Sequence, residues 1–122
     1  MCPVVPHFEL GEESPHGGAH VICVRGEIHV TTAPRFAECL NTAIESGKTA
    51  LVLDMTGVEF IDSTGLSVLL NGLRLVNQRR GRLALVLTNP TVLRLFQITG
   101  LEGTFDIFGD RPKAIAHVTS PQ

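Results

Sequence analysis

Apolar residues along this chain fall in short blocks whose spacing alternates between strand-like and helix-like. Residues 19–24 (A-H-V-I-C-V) are apolar and β-branched, which predicts a strand. Arg25, Gly26 and Glu27 interrupt it, and Ile28, His29 and Val30 are expected to resume as a short hairpin partner. Thr31 or Thr32 suits the cap of a helix entered at Ala33-Pro34, because proline's missing N–H costs nothing in a first turn. Phe36, Leu40, Ala43 and Ile44 then recur at helical spacing, and Gly47 is a natural stop. The unbroken apolar run at residues 50–53 predicts a central strand with Asp54 at its end. A connection over residues 55–62 leads to a second helix that starts at Ser63 or Thr64 and reaches Gln78. A buried strand at residues 83–87, a helix at 91–97, a short strand at 105–108 and a short helix at 112–117 complete the series.

Strands joined by helices in this order define an α/β layer whose parallel pairs are linked by right-handed crossovers. The expected architecture is one domain: a mixed sheet of four to five strands, with about four helices packed mainly on one face. Residues 1–18, rich in proline and glycine, form a lead-in with a candidate edge strand at residues 7–10. The domain proper spans 19–118, and 119–122 form a flexible tail. Functional groups in such sheets gather at the carboxyl ends of the strands, where Asp54 and the turn of Asp62, Ser63, Thr64 and Gly65 both fall.

Composition narrows the function. A chain of 122 residues is long enough for an aliphatic core without staples. The net charge of -2, with no Trp and no Tyr, provides neither a basic surface for phosphate backbones nor flat rings for stacking bases. Direct nucleic-acid binding is therefore not expected. Cys2, Cys23 and Cys39 are too scattered for a disulfide framework or a zinc ribbon, and no apolar run approaches the roughly 20 residues of a membrane span. A cytoplasmic protein without cofactor is the expectation.

Several chemical motifs fail on their context. Gly47-Lys48-Thr49 ends like a phosphate-binding loop, but Thr42 stands where a glycine is needed, and the helix precedes rather than follows. His16 and His20 flank Gly17-Gly18 and have no third metal ligand nearby. Asp62-Ser63-Thr64-Gly65 only superficially resembles the D-T-G of aspartic proteases. A receiver-type domain phosphorylated on Asp54, with Thr88, Lys113 and a Glu12-Glu13 metal pair, is a competing reading. That fold needs helix, strand and helix between the acidic pair and the acceptor, and residues 14–53 supply too few elements.

Residues 51–66 (L-V-L-D-M-T-G-V-E-F-I-D-S-T-G-L) closely resemble the signature of STAS domains, most of all the bacterial anti-sigma-factor antagonists. Gly26-Glu27-Ile28, Thr32-Ala33-Pro34, Leu85-Val86-Leu87 with Asn89-Pro90, and residues 92–101 match in the same order. The resemblance implies that Ser63 is a phosphoacceptor and that the chain has no catalytic machinery of its own. The implied partners are an anti-sigma factor that is a serine kinase of the ATP-binding, histidine-kinase-like type, and a serine phosphatase that resets the switch. The unphosphorylated form would hold the anti-sigma factor and so release its sigma factor. A STAS interaction module of another signalling or transport complex is the alternative.

The residues carry that reading in part. Ser63 stands at or beside a helix N-cap, where a hydroxyl also has a purely structural use. Thr64 is the neighbouring alternative acceptor, inside the first turn. Gly65 either lets a partner's backbone approach or permits tight helix–sheet packing. Leu66, Leu69, Leu70, Leu73 and Val76 form the expected core stripe. Val68 and Leu75, with Gly72 between them, form a second strip that meets the partner or packs beneath the helix at 91–97. The family commonly has aspartate after Gly-Glu-Ile, where this chain has His29 in a loop expected near the serine and the partner surface.

Overall fold

A computed structural model describes residues 7–15 and 17–120. The elements are β1 (Phe8–Glu13), β2 (His20–Ile28), α1 (Ala33–Glu45), β3 (Ala50–Ile61), α2 (Ser63–Gln78), β4 (Arg82–Val86), α3 (Pro90–Ile98), a 3-10 turn (Leu101–Gly103), β5 (Asp106–Phe108) and α4 (Arg111–Thr119). The sheet has the order β1-β2-β3-β4-β5. β1 runs antiparallel to β2, and every other neighbouring pair is parallel.

Period-two alternation sorts the strand residues between two apolar layers. Ile22, Val24, Leu51, Leu53, Leu83 and Leu85 meet Phe36, Leu40 and Ile44 of α1, Leu66, Leu69 and Val76 of α2, and Val92 and Phe96 of α3. Val21, Val52, Ala84 and Val86 point the other way, beneath Ala114 and Val118 of α4. Three helices therefore cover one face, and α4 alone covers the other. The small side chains on the α4 face let that short helix lie close to the sheet.

Two interruptions expected from the sequence are absent. β2 passes straight through Arg25, Gly26 and Glu27, so no hairpin forms with residues 28–30. Gly26 takes φ +96°, where a Cβ would overlap the His7 carbonyl, and the register against β3 shifts on both sides of it. The glycine absorbs a bulge rather than ending the strand. β3 likewise runs on through residues 55–61, because Gly57, Val58, Phe60 and Ile61 pair with the second half of β2. Asp54 is therefore mid-strand, 7% exposed.

At the chain ends, the edge strand expected in the lead-in is present as β1, which pairs with β2 along its whole length and runs on past residue 10 to Glu13. Thr119 belongs to α4, and the Ser120 hydroxyl accepts a hydrogen bond from Arg82 Nη1 at 2.9 Å, so the chain is held beyond residue 118. The remaining tail residues, like Cys2 and His16, lie outside the described residues.

Candidate functional site

β2 and β3 end side by side, with Ile28 paired to Ile61 and the Asp62 N–H donating to the Ile28 carbonyl at 3.1 Å. The chain then turns at once into α2. Asp62 is the N-cap: its Oδ1 accepts from the backbone N–H of Thr64 at 2.9 Å and of Gly65 at 3.1 Å. Ser63 is the first helical residue and is exposed. Its hydroxyl caps nothing and has no hydrogen-bond partner among the described residues, while its carbonyl accepts from Ser67 Oγ at 2.9 Å. The structural use of a serine here is thus already taken by the aspartate before it. Thr64 is half-buried and contributes its N–H to the cap.

Gly65 and Gly72 are both buried packing positions. A Cβ at Gly65 would fall 2.6 Å from Ile61 Cγ1 and 2.7 Å from Ile28 Cγ2, and one at Gly72 would fall 2.5 Å from Leu40 Cδ2. The expectation that Gly72 joins a partner-facing strip is therefore not met; it is where α2 approaches α1. Val68 and Leu75, four residues before and three after Gly72, share that flank. Both are half-buried and pack on the main core. The outward face of α2 is instead Ser63, Ser67, Leu70 and Arg74. Leu70, assigned to the core stripe by its spacing, is 39% exposed.

His29 follows β2 in the adjoining loop. Its Nδ1 accepts from the Thr31 N–H at 3.2 Å, and its ring centroid lies 6.5 Å from that of Phe60. The neutral ring therefore carries its proton on Nε2, as a donor. Thr32 fixes the loop from below: its hydroxyl donates to the Glu27 carbonyl at 2.7 Å and accepts from the His29 N–H at 3.0 Å. Large apolar groups whose exposure the sequence pattern did not mark include Val30 in this loop, Phe60 beside it, and Ile98, which lines a groove together with Phe60. Val30, Phe60 and Ile98 are 70%, 48% and 71% exposed. Phe60 was assigned to a connection, where exposure carries no information; only its pairing in β3 marks it as a fixed surface group.

Asp54 serves the other face of the sheet. Its Oδ2 accepts from Arg111 Nε at 3.0 Å and Nη2 at 2.7 Å, and its Oδ1 from the Thr56 N–H and hydroxyl. Burial pushes this carboxyl up, but the hydrogen bonds from Arg111 and Thr56, with the guanidinium charge, hold it below the usual range. Arg111 also pairs with Glu13, whereas Glu12 bonds His20 and Lys113 pairs with Asp110. A receiver-type acceptor with an adjacent acidic pair is therefore not assembled. Among the described residues, no group of three or more His, Cys, Asp or Glu could hold a metal, and no helix is long and apolar enough to cross a membrane. His20 donates or accepts at both ring nitrogens, to Ser14 Oγ and Glu12 Oε1. A cleft of about 400 Å³ beside it, between β1 and α1, is lined by no residue of the Ser63 turn.

The fold and the Ser63 turn together define a class: residues 14–114 match the STAS domain, and the chain belongs to that family. It is 37% identical to the anti-sigma-B factor antagonist of Listeria monocytogenes over 86 residues, covering 70% of this chain and 75% of the relative. An anti-sigma factor antagonist from Mycobacterium paratuberculosis superposes with a TM-score of 0.84 at 29% identity, covering 93% of this chain and 96% of that one. The Bacillus cell fate determinant SpoIIAA in its phosphorylated form superposes with a TM-score of 0.69 at 26% identity, covering 92% and 99%.

Proposed function

We propose that this chain is an anti-sigma-factor antagonist whose unphosphorylated form binds a kinase-like anti-sigma factor through the Ser63 face and so frees the sigma factor. The observation that carries this reading is a solvent-exposed hydroxyl at the first position of α2, released from capping duty by Asp62. In the switching step, Ser63 Oγ forms a bond to the γ-phosphorus of ATP, the bond to ADP breaks, and the hydroxyl proton passes to a base of the kinase. Nucleotide and metal belong to that partner, and this chain is substrate and ligand rather than enzyme. A serine phosphatase restores the hydroxyl.

Phosphorylation adds about -1.5 to -2 charges at Ser63. The α2 N-terminus favours them by about 0.3–1 kcal/mol at an exposed position, so the monomer keeps its fold. Desolvating the same dianion against a close-fitting partner, beside the Asp62 carboxylate, costs several kcal/mol. The second effect is larger, which makes the modification a binding switch rather than an unfolding one. With a formal net charge of -2, one such group roughly doubles the charge of the molecule.

Intact mass after incubation with candidate anti-sigma kinases and ATP tests this. One added phosphate is expected for the wild type and for Thr64→Ala, and none for Ser63→Ala. Absence of any shift with every cognate kinase would favour the second reading, a STAS interaction module of another complex. His29 is the residue that favours that alternative, because it presents a donor where the family commonly has a carboxylate.

A further inference from the structure

Beside the Ser63 turn, the last residues of β3 and one flank of α3 line a groove of about 290 Å³. Its walls are Phe60, Ile61, Val92, Leu95 and Ile98, with Glu59 and Arg94 at its edges. Phe60 is 48% and Ile98 71% exposed, and they are two of only four large apolar side chains exposed among the described residues. Half of the exposed large apolar side chains among the described residues therefore share one depression.

The groove is built rather than incidental. Asn89 caps α3 by accepting from the Thr91 N–H at 2.9 Å, and its Nδ2 donates to the Val58 carbonyl at 3.3 Å. The start of α3 is therefore tied directly to β3. Phe60 and Ile61 also lead without a break into Asp62 and Ser63, so the groove has a fixed position relative to the phosphoacceptor.

We propose that this groove is a second, phosphorylation-independent docking point for the anti-sigma factor. It takes aliphatic side chains of a partner segment that carries a cation and an anion beside them, matching Glu59 and Arg94. This rests on the proposed function and adds a division of labour to it: the groove supplies affinity, and Ser63 supplies the switch. Continuity with the Ser63 face selects the anti-sigma factor over other occupants, and the opposite charges at the edges set the orientation of the segment. The phosphate at Ser63 lies outside the groove and leaves its apolar contacts in place.

The test uses the full chain carrying Ser63→Ala or Ser63→Asp, each with and without Ile98→Glu, titrated against the cognate anti-sigma factor without ATP. Ile98 is exposed, so its substitution leaves the fold intact, as circular dichroism will verify; Phe60→Ser serves as a second probe. Ile98→Glu is expected to weaken binding by roughly tenfold in both backgrounds, with the ratio between the backgrounds unchanged. A change within about twofold in either background would overturn the proposal. So would concentration-dependent dimerisation that Ile98→Glu abolishes, because the occupant would then be a second copy. If Ser63→Asp binds like Ser63→Ala while Ile98→Glu still weakens both, the phosphoswitch reading fails and the groove stands.

Discussion

Gly65 decides whether the start of α2 is shaped by packing or by access for a partner, and replacing it with alanine separates the two. The new methyl would lie 2.6 Å from Ile61 Cγ1 and 2.7 Å from Ile28 Cγ2, about 1 Å inside the ~3.5–4.0 Å separation of touching carbons. Ile28 and Ile61 are 0% and 4% exposed, so neither can swing into solvent. The helix must lift instead. Overpacking of this kind costs ~1–3 kcal/mol, and replacing glycine in a helix returns up to ~1 kcal/mol. The φ of Gly65 is not positive, so no backbone strain is added. The net expectation is a loss of about 1 kcal/mol, seen in urea unfolding and as a melting temperature lower by about 3–6 °C. An unchanged or higher melting temperature combined with weakened partner binding would refute the packing argument and give Gly65 to the interface.

Three further outcomes follow from the same structure. Asp62→Ala leaves the Thr64 and Gly65 N–H groups uncapped and should lower stability by about 1 kcal/mol in chemical denaturation, with Asp62→Asn recovering most of it. Leu75→Asp, at a half-buried position on the main core, should lower the melting temperature, whereas Leu70→Asp, on the exposed face, should weaken partner binding with little effect on melting. Arg111→Ala strands the Asp54 carboxylate and should cost about 2 kcal/mol at pH 7, less than for a fully buried pair because the Arg111 side chain is 34% exposed. The folded-state pKa of Asp54 is depressed, so the stability it contributes is present above the unfolded carboxyl value of about 3.9 and is lost as pH falls through the folded value. The difference between wild type and Arg111→Ala should therefore shrink below about pH 4; a constant difference down to pH 2.5 or so would contradict the pairing.

The order of elements was legible because each apolar block kept one period, 2 in the strands and 3.6 in the helices. The Asp62–Ser63 turn was legible because its residues sit in a long, ordered match to a family signature. What escaped depended on pairing. Gly26 and the Thr56-Gly57 pair look like breaks when each segment is read alone, yet β2 and β3 carry each other through them. Leu70 and Gly72 were exchanged for a related reason. Helical spacing says which residues share a face, but only the approach of Leu40 to Gly72 shows which flank meets α1. Local pattern left Ser63 at or beside the N-cap, and the choice between the two matters most: with Asp62 as the cap, Ser63 is the residue beside it and has no structural task. The role of Asp54 needed α4 in place, because its partner Arg111 lies fifty-seven residues away.

The most direct test of the switch is the affinity of the cognate anti-sigma factor for this chain before and after stoichiometric phosphorylation at Ser63, measured without nucleotide. Circular dichroism and melting should be recorded on the same samples. The expected result is a loss of affinity of at least about a hundredfold, from several kcal/mol of uncompensated desolvation, with a native-like spectrum and little change in melting. Equal affinity of the two forms, or loss of binding only through unfolding, would contradict it.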